Sequence, residues 1–459
     1  MLQDCFSLTS IDLSHFDTQS VTTMNQMFDI CHSLTSLDLS NFRTPKLKDM
    51  GAMFYGCNQL ESVDISNFDT TLVTNMGRVF EQYLSLKSLD LSNFNTISVD
   101  YIYHMFSGCE SLEFLDISNF NTDKISDMDG LFYNCHSLKT LNLSSFNTSL
   151  VVTMDGMFID CNSLEALDLS SFNTKSVKRM NYMFRGCNKL TSLYLKNFYT
   201  PNLETMHEMF SNCNLLRSVD ISNFNTSQIE DMSYLFFNCL NLESIDISNF
   251  DTSKVSSMER MFANCKMLTS LNLSLFKTES VTNMNLMFDQ CESLTSLDLS
   301  NFHTPLLETM FEMFYNCYSI ASLNISNFDT SKVTNFERLF FSCQNLTSLD
   351  LSNFDTSSVK SMFGMFDSCT KLEFLDLKNF NTPSLEKADQ IFYKCNSLKW
   401  VDISNFNTSK VEDISCLFYH CYSLTSLDLS NFDTSSLIYM NNLFDNCHSL
   451  KFVNISEIQ

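Results

Sequence analysis

Two patterns of apolar and polar residues alternate along this chain, each handing over to the other at a fixed interval. In the first, as at Leu34-Thr35-Ser36-Leu37-Asp38-Leu39-Ser40, leucines face Ser, Asp and Ser at every second position. That period of two predicts a short strand with one buried and one wet face. In the second, Val21, Met24, Phe28 and Cys31 follow at steps of three, four and three, the spacing of one stripe of an amphipathic helix. A Thr opens this segment every time, from Thr18 and Thr44 to Thr434, and Thr suits an N-cap. Pro45, Pro201, Pro305 and Pro383 each follow that Thr directly, at the first helical position, where a missing N–H costs nothing. Gly or Asn precedes the periodic Cys in nine repeats, as at Gly56, Asn134, Gly186 and Asn212. These are residues that tolerate a left-handed helix end. The prediction is one strand and one helix of about three turns per repeat.

The interval is 26 residues. Phe recurs at that spacing from Phe16 to Phe432, and a second Phe column runs from Phe28 to Phe444, seventeen hits in each without insertion or deletion. A fixed period of this length marks a solenoid of stacked supersecondary units. It overrides the two or three domains that 459 residues would otherwise suggest. The expectation is a single solenoid over 1–459 without evident capping repeats. Parallel strands stack about 4.8 Å apart, whereas helices need about 8–10 Å. That mismatch predicts an α/β solenoid bent into a horseshoe, with a parallel β-sheet on the concave face and one short helix per repeat on the convex face.

The residues then resemble a family. L-x-x-L-x-L followed by V-x-x-M-x-x-M-F-x-x-C-x-x-L resembles the Treponema-type leucine-rich repeat of BspA-like surface proteins. The nearer likeness is to the mycoplasma-type variant with S-N-F-D-T-S-x-V and M-F-x-x-C-x-S-L. Here these are Ser352-Asn353-Phe354-Asp355-Thr356-Ser357, then Met365-Phe366, Cys369, Lys371 in place of Ser, and Leu372. The resemblance covers the whole chain and implies a surface or secreted protein that adheres to host matrix or to other cells. The N-terminal MLQDCFSLTS carries neither a basic nor an apolar signal region. Cell-surface or extracellular localisation therefore rests on the resemblance alone.

Composition narrows the partners. A formal charge of −25 argues against nucleic acid, which needs a basic face. No run approaches 18 apolar residues, so no membrane span is expected. The eight His are scattered over different phases of the repeat, with no converging nucleophile or base, so no enzyme and no cofactor are predicted. Seventeen of eighteen Cys share one phase, Tyr83 standing in once. Without C-x-x-C spacing they read as a buried structural column, not a zinc ladder. Cys416 alone is out of phase and is the candidate reactive thiol.

Asp occupies the wet centre of the strand in thirteen repeats, with Asn at 142, 272, 324 and 454 and Tyr194 in one. Neighbouring carboxylates repel. The column is either a solvated face or a surface for cations, hydroxyl groups or a basic partner. Glu61, Lys87, Glu113, Lys139 and Glu165 alternate in sign at one phase, which predicts cross-strand ion pairs. In so uniform a scaffold, selective binding belongs where the wet face departs from Ser-Asp-Ser. Phe374, Asp376 and Lys378 lie on one strand, with Trp400 and Asp402 on the next. Phe374 and Trp400 share a phase, so two exposed aromatics would stand side by side, flanked by carboxylates and a Lys. Tyr194 with Lys196 is a second departure, and Phe114 is a third. The function expected is a non-enzymatic binding scaffold for a protein or glycan, through which a surface adhesin would work. The alternative is a structural protein that associates end to end through bare strands near Ile11–Leu13 and Val453–Ile455.

Overall fold

In the computed structural model, residues 2–455 are described. They fall into two compact units, Met1–Gln228 and Ile229–Gln459. Each unit is a β-solenoid in which one 26-residue repeat makes one turn. Among the described residues the Ser-Leu-Asp segment pairs in parallel with its copy in the next repeat in four two-stranded sheets. In the first unit β1 (Ala166–Asp168) pairs with β2 (Ser192–Tyr194). In the second, β3 (Ser296–Asp298) pairs with β4 (Ser322–Asn324), and β5 (Phe374–Asp376) pairs with β6 (Trp400–Asp402). The last pair is β7 (Ser426–Asp428) with β8 (Phe452–Asn454). Equivalent residues meet one repeat apart, Leu297 opposite Leu323 for example. The central leucine is buried and its neighbours face out.

The predicted helix does not form: among the described residues no helix is present. The segment after each Thr is a second parallel ladder followed by a chain of tight turns. In the first unit the ladder runs Thr23, Asp49, Asn75, Tyr101, and again from Asp127 through Thr153 and Arg179 to Thr205. Beyond it, alternate N–H groups leave their own turn altogether. Met24, Gln26, Phe28 and Ile30 donate to carbonyls of Asp49, Gly51, Met53 and Tyr55 in the next turn, at 2.7–2.9 Å. The intervening Met27, Asp29 and Cys31 close four-residue β-turns onto Met24, Gln26 and Phe28. Two residues of each turn take positive φ, Gln26 at 56° and Ile30 at 58°, as the third residue of a type II turn does. Neither that φ nor those bonds exist in an α-helix. A series of β-turns closed three residues apart spaces its apolar side chains much as a helix does, which is why the stripe misleads. With the helices goes the width mismatch that predicted a horseshoe with concave and convex faces.

The core is built of columns. In the first unit the Phe28-to-Phe210 column stacks ring on ring, with centroids 5.6–5.9 Å apart. In the second, the Phe236-to-Phe444 column does the same. Such contacts contribute about 0.5–1.5 kcal/mol each beyond burial. The Thr column is buried too, and it is not a set of helix caps. Thr148 Oγ1 donates to the carbonyl of Asn173 at 3.0 Å and accepts that residue's N–H at 2.8 Å. Thr44 and Thr70 hold Asp69 and Asn95 in the same way. Each Thr thus staples one turn to the next. Asn41 lies just before the next Phe and donates to carbonyls of Leu13, Ser14 and Phe16 in the preceding turn.

Candidate functional site

Because the strands fix the register, the exposed sheet face repeats three outward positions per turn, ordinarily Ser, Asp and Ser. The Asp carboxylates fold back on their own chain: Asp38 Oδ1 accepts the N–H of Ser40 at 2.9 Å, and Asp64, Asp116, Asp246, Asp350 and Asp428 repeat this arrangement. This is an Asx turn. Hydrogen bonds from Ser40 hold the Asp38 carboxyl below its ordinary range, outweighing the opposing push from Asp64 and Asp12. Local donors therefore offset the mutual repulsion of the column. Among the described residues no group of three or more His, Cys, Asp or Glu is placed to hold a metal ion.

The Cys column is buried as expected. From Cys57 on, the Sγ typically reaches the carbonyl of a Phe in the preceding turn, Cys161 to Phe132 and Cys369 to Phe340 at 3.1 Å. Burial pushes the thiols of Cys161 and Cys369 upward. Cys416 is half-buried, at a position of positive φ. Tyr83 fills its place in the column completely, its hydroxyl without a hydrogen-bond partner.

The predicted aromatic pair stands where the sequence put it. Phe374 lies opposite Trp400 and Asp376 opposite Asp402, and both rings are exposed, 53 % and 43 %. Lys378 turns back on its own strand, Nζ 3.4 Å from Asp376 Oδ2. A cation the sequence reading did not include completes the patch. Lys399 Nζ lies 5.4 Å from the centre of the Phe374 ring and 2.6 Å from Glu373 Oε2. Its signal was available, because Glu373 and Lys399 occupy the phase at which Glu61–Lys87 and Glu113–Lys139 pair, at 2.8 and 2.5 Å.

Beyond Trp400 the face opens into a cleft of 320 Å³, lined by Trp400, Ser426 and Phe452 at one phase and by Asp402 and Asp428 beside them. In the first unit Phe114 and Tyr194, read from sequence as separate departures, line one cleft of 490 Å³ over Asp116, Asn142 and Asp168. Tyr194 stands 57 % exposed opposite Asp168. Lys196, the other residue of that departure, is exposed on the same strand segment but outside the cleft lining. Among the described residues no helix is long and apolar enough to cross a membrane.

Comparison with known proteins places these features. A family model described as "Mycoplasma protein of unknown function, DUF285" matches residues 1–114, 100–219, 204–323, 245–347, 308–401 and 375–458. No curated protein matches. Among solved structures, a leucine-rich repeat protein from Bacteroides ovatus is 15 % identical, with 88 % of this chain and 86 % of that one covered and a TM-score of 0.42. A leucine-rich cell surface protein from Faecalibacterium prausnitzii is 16 % identical, over 67 % of this chain and 77 % of that one, with a TM-score of 0.34.

Proposed function

Since the chain belongs to the mycoplasma family DUF285, in the leucine-rich-repeat form of the BspA-like surface proteins, we propose that it is a non-enzymatic binding scaffold. It acts as a surface adhesin or interaction protein and offers its Ser/Asp-rich sheet face to a protein or glycan outside the cell. One observation carries this reading: Phe374 and Trp400 stand side by side and exposed on a face that is otherwise Ser-Asp-Ser. Large exposed aromatics cost solubility and gain nothing in the core. They are also the side chains that dominate recognition energies once a partner covers them. The polar surroundings of Asp376, Asp402 and Lys378 supply orientation without driving nonspecific association. The proposal includes one uninterrupted solenoid over 1–459.

The test is a screen of the purified protein against a glycan array and a panel of matrix proteins at physiological salt, with the Phe374→Ala/Trp400→Ala double variant alongside. A hit that the variant loses supports the scaffold and locates its site. A protein that binds nothing, yet grows in size with concentration, is instead an end-to-end assembler, and the reading falls.

A further inference from the structure

The aromatic column of the second unit treats its members unequally. At Phe374 the chain supplies a cation of its own: the Lys399 ammonium sits over the ring and against Glu373. The same combination of aromatic face and carboxylate recurs one turn on, without a cation in it. Trp400 and Phe452 share a phase two turns apart, about 10 Å at the spacing of parallel strands. Between them the small Ser426 leaves the 320 Å³ cleft open, and Asp402 and Asp428, two positions on in the same strands, line its side. The nearby cations are otherwise placed. Lys399 is held by Glu373 and Lys378 by Asp376, and Lys451, exposed next to Phe452 in the chain, is not part of the cleft lining.

Building on the scaffold reading, we propose that the Trp400–Phe452 cleft is a site for a guanidinium or ammonium side chain presented by an extended basic segment of a partner protein. A cation between two aromatic faces sits about 4.5–5 Å from each, so walls about 10 Å apart fit one such group. Ser430 and Asn454 hold the Asp428 carboxyl below its ordinary range, so it is ionised at neutral pH. Charge complementarity selects this occupant over a neutral sugar, whose hydroxyls do not need two carboxylates. It also excludes acidic glycans, which a chain of charge −25 repels. The cleft of the first unit also combines aromatic and carboxylate side chains, Phe114 and Tyr194 with Asp116 and Asp168, but its aromatics stand three turns apart and leave a wider space.

Trp400 is the only tryptophan, so its fluorescence reports on its two sides alone, the Phe374 pair and this cleft, and Phe452→Leu tells them apart. The probe is acetyl-(Gly-Arg)3-amide, compared with its citrulline counterpart, which keeps the shape and loses the charge, and with a neutral oligosaccharide. The arginine peptide is expected to change Trp400 emission saturably. The Asp402→Asn/Asp428→Asn variant should weaken it about tenfold, as should raising salt from about 50 to about 500 mM. Phe452→Leu should weaken it with the charges intact, and circular dichroism checks that both variants fold. An equal response to the citrulline peptide or the sugar overturns the cationic occupant, and so does no saturable response to arginine. Should the array and matrix panel still give a hit that depends on Phe374 and Trp400, the scaffold reading survives that failure. If that hit is missing too, both fall.

Discussion

Replacing Thr148 by Val removes one hydroxyl while keeping the shape of the side chain, and so tests how successive turns are joined. Thr148 is 1 % exposed, and its Oγ1 both donates to the Asn173 carbonyl and accepts the Asn173 N–H. Val leaves both backbone groups without that partner. At a net worth of about 0.5–1.5 kcal/mol per bond, the loss is about 1–3 kcal/mol. Thr148→Ser keeps both bonds and gives up one methyl, at a cost of about 1 kcal/mol. Thr148→Asp separates the staple from the helix cap that the sequence suggested. An N-cap accepts Asp as readily as Thr, whereas the staple offers a carboxylate no water and no donor for the Asn173 carbonyl, so Asp should be the worst of the three.

The readout is the urea midpoint by circular dichroism, joined to amide exchange at Asn173. Long repeat arrays depart from two-state unfolding, so the local exchange rate carries the decision. Val should speed exchange at Asn173 and Ser should not. A Val variant with wild-type midpoint and an equally protected Asn173 refutes the staple, and so does an Asp variant that outranks Val.

Three further outcomes follow from buried polar groups. Tyr83→Phe removes a hydroxyl that is sealed in the core without a partner and should raise stability by about 1–3 kcal/mol; a lower urea midpoint contradicts this. Burial lifts the Asp289 carboxyl to about 6, against an ordinary 3.8, and its Oδ1 has no hydrogen-bond partner. Between those values the folded chain binds more protons than the unfolded one, so this group's penalty is full above pH 6 and disappears as pH falls toward 3.8. Asp289→Asn should therefore stabilise the protein by about 2–3 kcal/mol at pH 7.5 and by little at pH 4; equal gains at both, by thermal melts, refute the assignment. Of the eighteen thiols only Cys5, Cys416 and Cys447 are less than fully buried, so a thiol reagent should label these three in the native state and the rest only after denaturation.

Much of the architecture was legible because the period is exact in the sequence. The strand, its outward Ser-Asp-Ser face and the neighbouring places of Phe374 and Trp400 all follow from counting by 26. The helix was misread because spacing is one-dimensional. Val21, Met24, Phe28 and Cys31 satisfy a helix stripe, and they equally satisfy a run of β-turns whose spare N–H groups serve the next turn. The Gly and Asn before the Cys did carry the right information in part, since Gly56, Asn134, Gly186 and Asn212 all take positive φ. Gln26, Arg78 and Tyr182 take it too, against their intrinsic preference, because the inter-turn bonds over-determine it. That is a property of the stack and is invisible in one repeat. The Phe114–Tyr194 cleft was missed for a similar reason: its walls belong to different phases three turns apart, and only the small side chains between them make one space.

Inward and outward positions obey different rules, and this separation is what makes the face available for function. Thr148, Asn41 and the Phe28 column each engage the turn before or after, so a change in one disturbs at least two repeats. An outward residue has no such obligation. Asp168 faces Tyr194, and Ser426 faces Phe452, yet the parallel register continues through both pairs without a shift. A Ser or Asp can thus become Phe, Tyr or Trp with the backbone unchanged, and the cleft that results takes its width from the number of turns between two such substitutions. Trp400 and Phe452 leave one turn between them, and Phe114 and Tyr194 leave two. Those clefts measure 320 and 490 Å³. Under the proposed reading, ligand size would follow from counting repeats, and ligand charge from whether a lysine such as Lys399 already occupies the aromatic face.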